Sequence, residues 1–190
     1  MLDNDLMELA CGDSSDDSRK LFFSNLGKIA YLWGCSNLHK DWPVHLIRQY
    51  VQPALELNQY LILEGSNGIP LAYISWACLS IEAEVKYLEN PHSIGAEEWN
   101  GGNRIWFMDL VSPFDQKYTN EIIRRLRSTI FSKVVARSLR IKLGSKTSKV
   151  AFYWGKQVTP HQREAMLQYL YETAKEASKA EKIIWSRTNP

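Results

Sequence analysis

The sequence predicts an α+β fold, a single domain in which helices flank a mixed, partly antiparallel sheet. The apolar runs 59–63 and 69–78 are joined by Ser66-Asn67-Gly68, a hairpin-type turn, which makes them an antiparallel pair. Helical periodicities are interleaved with strand-like runs along the whole chain, so sheet and helices build one layered unit. The length of 190 residues suits one domain with a substantial core, and no internal repeat divides it.

The elements follow in order. Residues 1–18 carry Asp3, Asp5, Glu8, Asp13, Asp16 and Asp17 with no Lys or Arg, and Ser14-Ser15-Asp16-Asp17-Ser18 has nothing to bury. They read as an acidic, disordered tail. The domain proper is expected over 19–180, followed by a C-terminal tail over 181–190. Leu21, Phe22, Leu26, Ile29, Ala30 and Trp33 recur at helical spacing over 20–34, and Gly34 stops that helix. A short connection carries Ser36 to His39. Pro43 fits the first turn of a second helix reaching about Val51, with Asp41 placed to meet free N–H groups. After the hairpin comes a helix at 80–89, then a loop from Asn90 to Asn103 with Gly101-Gly102 as a joint. Arg104–Val111 is a largely apolar strand ended by Pro113. A basic helix is expected at 116–132. Strands at 134–143 and 149–153 enclose a polar turn at 144–148, and an amphipathic helix at 160–178 carries Met166, Tyr169, Leu170, Thr173, Ala174 and Ala177 on one side.

Composition excludes some classes and favours others. Apolar residues make up 45% and charged residues 23%, as in ordinary globular proteins. No apolar run reaches the ~18–20 residues that span a bilayer, so no transmembrane segment is expected. The acidic N-terminus has the wrong charge for a secretory leader, and three scattered cysteines without metal-ligand spacing read as free thiols; together they point to the bacterial cytoplasm. The net charge of +2 is unevenly spread: residues 1–116 hold 7 basic and 16 acidic groups, residues 117–156 hold 11 basic groups and one acid, Glu121. Such a basic segment favours an acidic partner, whether nucleic acid, anionic lipid or an acidic carrier protein, unless its charges lie on several solvated faces. No nucleic-acid-binding motif is present, which argues against nucleic acid. His45, His92 and His161 lack ligand spacing and no Gly-rich phosphate loop is present, so neither a metal nor a bound cofactor is expected.

Two residues stand out chemically. His39 lies in Leu38-His39-Lys40-Asp41-Trp42, and Asp109 lies in Trp106-Phe107-Met108-Asp109-Leu110-Val111. A carboxylate inside such an apolar run costs several kcal/mol to bury alone, so it has a partner or an exposed strand end. A neutral His donating its ring N–H to Asp109 would keep its other nitrogen as a base; the plainer alternative is a salt bridge to Arg104 or Arg137. Ser36, three residues before His39, is close enough to approach the imidazole, as a cap or as a nucleophile. Cys35 could accept an acyl group, although nothing near it in sequence lowers its pKa.

Several stretches taken together resemble one family. They include Ile29-Ala30-Tyr31-Leu32-Trp33, Leu38-His39-Lys40-Asp41-Trp42, Ala72-Tyr73-Ile74-Ser75-Trp76-Ala77, Trp99-Asn100-Gly101-Gly102-Asn103-Arg104 and Trp106-Phe107-Met108-Asp109 followed by Pro113-Phe114. From about Gly27 to Tyr171 the chain resembles the RTX-toxin-activating lysine acyltransferases, the hemolysin C-like proteins. The resemblance implies a modified GNAT acyltransferase fold. It implies transfer of a fatty acyl chain from acyl carrier protein to internal lysines of an RTX protoxin, in the cytoplasm, by a homodimer. It places the family's catalytic His on His39, its Asp on Asp109, its Ser on Ser36 and two arginines on Arg137 and Arg140. The Gln/Arg-x-x-Gly-x-Gly/Ala turn of acetyl-CoA-dependent acetyltransferases is missing, so free CoA is not the expected donor. Tyr50, Ile74, Asn103, Leu110, Ser112 and Asp115 depart from residues common in the family. A non-catalytic protoxin-binding partner of the same fold is the alternative these departures leave open.

Overall fold

The computed structural model describes residues 14–141 and 148–177. Helix α1 (Ser14–Cys35) begins before the expected position, so 14–18 are helical, while 1–13 and the C-terminal tail at 181–190 lie outside the described residues. Its buried stripe is Asn25, Ile29, Leu32 and Trp33, spaced four, three and one apart. Leu21, expected on that stripe, is exposed. Asn25 satisfies its buried amide by donating to the Tyr60 hydroxyl at 2.8 Å, and Lys28 pairs with Glu64 at 2.9 Å.

The second helix, expected from Pro43 to about Val51, starts later as α2 (Leu46–Tyr50), and a further short helix, α3 (Gln52–Glu56), follows it. Residues 43–48 are joined by three-residue turns, from Leu46 to the Pro43 carbonyl and from Ile47 to that of Val44. Pro53, near the start of α3, has no N–H to continue α2, so the helix breaks there.

The sheet has the order β1-β2-β3-β4-β5, from Tyr60–Glu64, Pro70–Leu79, Arg104–Val111, Val135–Ile141 and Ser148–Trp154. All neighbours are antiparallel except β3 and β4, which run parallel. Gly68 at φ 76° closes the β1–β2 hairpin in a conformation that suits glycine. The turn expected at 144–148 lies outside the described residues up to 147.

Helix α4 (Ile81–Glu89) is capped by Ser80, whose hydroxyl accepts from the Ala83 N–H at 3.1 Å. A 3₁₀ turn follows at Ala96–Glu98, and Gly102 allows β3 to start against the Leu79 carbonyl, which a Cβ there would overlap. Helix α5 (Gln116–Ser128) starts on the Asp115 side chain and ends earlier than expected. At its end Ser128 and Thr129 turn their hydroxyls back onto the Arg124 and Arg125 carbonyls, competing with helix continuation. Helix α6 (Pro160–Ala177) closes the described chain.

The two sheet faces are covered differently. On one, α1, α2 and α3 pack over Tyr73 and Val111, while α4 and Trp99 pack over Ala77, Leu79 and Trp106. On the other, Ile122 and Leu126 of α5 pack with Phe131 over Ile74, Trp76, Phe107 and Ala136. Among the described residues no helix is long and apolar enough to cross a membrane.

Candidate active site

The end of α1 and the turns after it deliver two polar side chains to the sheet. Ser36 N–H bonds the Trp33 carbonyl at 3.0 Å, His39 N–H bonds the Ser36 carbonyl at 3.1 Å, and Trp42 N–H bonds that of His39 at 2.8 Å. This winding keeps Trp33, Ser36 and His39 on one side, all buried.

Strand β3 supplies the carboxylate through an irregularity. Ser75 pairs with Asp109 and Trp76 with Phe107, so Met108 has no partner on β2 and forms a β-bulge. Side chains alternate in a regular strand, which would set Asp109 on the α5 face with Phe107. The extra residue reverses the alternation and turns Asp109 onto the face covered by α1.

There Asp109 meets His39. The His39 Nε2 lies 3.2 Å from Asp109 Oδ1, with side-chain exposures of 3% and 10%. The Trp33 indole N–H donates to Asp109 Oδ2 at 3.0 Å, and Ser36 Oγ lies 2.8 Å from His39 Nδ1. A carboxylate only accepts, so in neutral His39 the proton sits on Nε2 and Nδ1 accepts from the Ser36 hydroxyl. The nitrogen expected to be unoccupied is therefore held by Ser36. Trp33 stacks on the imidazole at 5.1 Å and 27°, and Trp42 packs against the same ring at 4.6 Å. Beneath Asp109, burial and then the Asp109 charge push the Tyr73 phenol well above its usual range, which keeps it neutral.

The salt bridge considered for Asp109 belongs to another carboxylate. Arg104 and Arg137 both pair with buried Glu84, whose Oε1 also accepts from the Trp106 indole at 2.7 Å. Arg137 lies over the Trp106 ring at 4.5 Å, is 1% exposed, and is lowered to about 10 because burial disfavours its charge. Arg140 sits three residues further along β4, on the opposite face and exposed. The two arginines singled out in the sequence are thus not neighbours in one site.

Arg140 does share a groove with Asp109. Strands β3 and β4 pair only at Trp106↔Arg137 and Phe107↔Ser138 and then part. A groove of about 760 Å³ opens there, lined by Leu38, Met108, Asp109, Leu110, Ile123 and Leu139, and by Arg124, Arg127, Arg140 and Lys156. Its four basic groups come from the cationic segment 117–156. Arg124 is partly offset by Glu121, which Arg124 and Arg125 together hold at about 2. Cys35 is exposed at the end of α1, outside the hydrogen-bonded chain.

The family model of the RTX toxin acyltransferases matches residues 19–154. The chain belongs to the RTX toxin acyltransferase family. It is 40% identical over 136 residues to the protein-lysine myristoyltransferase RtxC of Kingella kingae, covering 72% of this chain and 79% of the relative. It is 37% identical over 145 residues to the protein-lysine palmitoyltransferase CyaC of Bordetella bronchiseptica, covering 76% and 77%. With the leukotoxin-activating lysine-acyltransferase LtxC of Aggregatibacter actinomycetemcomitans it shares 36% identity over 163 residues, 85% and 95% of the two chains. The match to this acyltransferase family spans both halves of the site, from Trp33 to Asp109 and on to Arg140.

Sequence reasoning missed Trp33, read only as an apolar helix residue, and Arg124, Arg127 and Lys156 as groove residues. The three-residue spacing of Trp33, Ser36 and His39 is the signal that links the indole to the site.

Proposed function

We propose that the protein is a protein-lysine fatty acyltransferase that activates an RTX protoxin, with acyl carrier protein as acyl donor, acting in the cytoplasm as a homodimer. The hydrogen-bonded chain Ser36–His39–Asp109 beside an apolar groove with basic groups is the observation that carries this reading. The parting of β3 and β4 beside the site supports a modified GNAT type of fold. No bound cofactor enters the scheme; the acyl-carrier thioester is a co-substrate.

A lysine amine with an ordinary pKa of about 10.4 is mostly protonated and must lose a proton to attack a thioester. His39 is the base, and Asp109 orients it and stabilises the imidazolium. Because Nδ1 is held by Ser36, the proton passes from the amine to Ser36 Oγ while the Ser36 proton passes to Nδ1. The amine nitrogen bonds the acyl carbon, the carbon–sulfur bond breaks, the departing thiolate takes the proton from His39, and the second proton that the lysine ammonium sheds on becoming an amide leaves to solvent. The groove holds the acyl chain against Leu38, Leu110, Ile123 and Leu139, and Arg124, Arg127, Arg140 and Lys156 face the acidic carrier. Arg137 holds Glu84 and Trp106 at the root of β3 and β4, and so supports the groove from the other face.

Mass spectrometry of an RTX protoxin after incubation with the protein and acyl carrier proteins of several chain lengths tests the reading. A lysine-linked acyl mass that vanishes with His39→Ala supports it. A folded protein that binds protoxin yet leaves no acyl mass with any donor overturns it in favour of a non-catalytic partner.

A further inference from the structure

We propose that Trp33 is a positioning residue whose indole N–H fixes the Asp109 carboxylate and thereby decides which nitrogen of His39 carries the proton. This deepens the transfer reading and rests on it for its kinetic readout alone.

Three contacts close a triangle among Trp33, Asp109 and His39. Trp33 donates to Asp109 Oδ2 at 3.0 Å, leaving Oδ1 aimed at His39 Nε2 at 3.2 Å. The indole that holds the carboxylate also stacks on the imidazole it orients. A carboxylate can rotate about its last bond, and two buried hydroxyls are its neighbours: Ser75 faces Asp109 across the β2–β3 pair, and the Tyr73 phenol feels the Asp109 charge. Without the indole N–H, Oδ2 becomes an unsatisfied buried acceptor, and turning toward one of those hydroxyls relieves it. That turn draws Oδ1 away from Nε2 and removes the reason for the proton to sit there. With the proton on Nδ1 instead, the imidazole presents a donor to Ser36 and no longer receives its proton.

The ring contact acts in the same direction. Trp33 stacks on the His39 ring and Trp42 packs against it at a tilt, the two indoles themselves 5.4 Å apart, so both oppose ring rotation. An electron-rich indole face also favours the imidazolium that forms when the amine gives up its proton. The titratable groups around His39 are Asp109 from β3 and the neutral Tyr73 from β2, with Tyr50 of α2 behind Trp42.

The test labels the histidine rings with ¹⁵N and reads the His39 tautomer by proton–nitrogen correlation, without any substrate. Wild type should show a proton on Nε2; finding it on Nδ1 overturns the proposal whatever the variants do. Trp33→Phe keeps a ring and loses the donor. It should show mixed tautomers, and kcat for lysine acylation should drop about tenfold to a hundredfold, with donor KM within twofold. In Asp109→Asn protein the same substitution should add nothing, because the acceptor is already altered. A folded Trp33→Phe protein with a single Nε2 tautomer and kcat within twofold of wild type refutes the proposal. If the tautomer responds as expected while wild type transfers no acyl group, the positioning role stands and the transfer reading falls.

Discussion

Ser36 Oγ lies 2.8 Å from His39 Nδ1, on the side of the ring away from Asp109. Both nitrogens of the imidazole are therefore engaged, and any proton that reaches it from outside comes through or past the serine hydroxyl. Loss of a positioned base typically costs about 10² to 10⁴ in rate, so His39→Ala should lower acyl transfer by that range. Ser36→Ala should leave a slower but measurable enzyme if Ser36 relays a proton. An obligatory acyl-Ser36 would instead make the alanine variant inert and leave a trappable adduct on the wild-type peptide, which peptide mass spectrometry would detect.

Arg137 and Arg140 should separate cleanly. Removing one partner of a buried ion pair costs about 3–5 kcal/mol, so Arg137→Ala should lower the urea midpoint sharply. Arg140 is exposed in the groove, and Arg140→Ala should leave the midpoint nearly unchanged. Its effect should fall on the KM for an acyl-carrier donor and shrink as salt is raised. A large stability loss for Arg140→Ala, or none for Arg137→Ala, would contradict the burial seen for each.

Tyr73 and Tyr87 set an alkaline limit on stability. Burial raises both phenols, with the Asp109 charge adding a smaller push. In the unfolded chain they ionise near the ordinary value of about 10, while in the folded protein they stay protonated. Above that pH the unfolded state holds fewer protons, so stability falls as pH rises. Urea midpoints measured from pH 8 to pH 11 should decline, and less steeply in Tyr73→Phe. An equal slope in the variant would remove Tyr73 from the effect.

Leu110 lines the groove next to the carboxylate. A tryptophan there takes up space an acyl chain would use. Leu110→Trp should move the preference toward shorter acyl groups in a competition among carrier proteins of different chain length. An unchanged ranking would mean that the chain lies elsewhere.

The fold was legible where local chemistry and tertiary context agree. Arg104–Val111 spans the expected residues because an apolar run bounded by Gly101-Gly102 and Pro113 has one reading. The helix expected from Pro43 to about Val51 forms only from Leu46, because residues 43–48 close three-residue turns first. The partners of Asp109 were legible in part: a buried carboxylate needs a donor, and His39 was named as one. The indole of Trp33 was not, since a tryptophan on an apolar stripe reads as packing until its N–H is seen to point at an oxygen. Nor could residue types separate Arg137 from Arg140, whose difference is a matter of strand alternation and of Glu84, more than fifty residues earlier.

The unpaired Met108 gives β3 something like a reading frame. Asp109 and Leu110 are adjacent in the chain and leave opposite faces of the sheet, Asp109 toward the imidazole at the edge of the groove and Leu110 toward α5. Substitutions along the strand change one contact at a time. Pairing Met108 regularly, without the bulge, would exchange the two sides together, sending leucine to His39 and the carboxylate to the α5 face. Grafting this strand into another scaffold, or shuffling it between homologues, therefore has to carry the bulge with it.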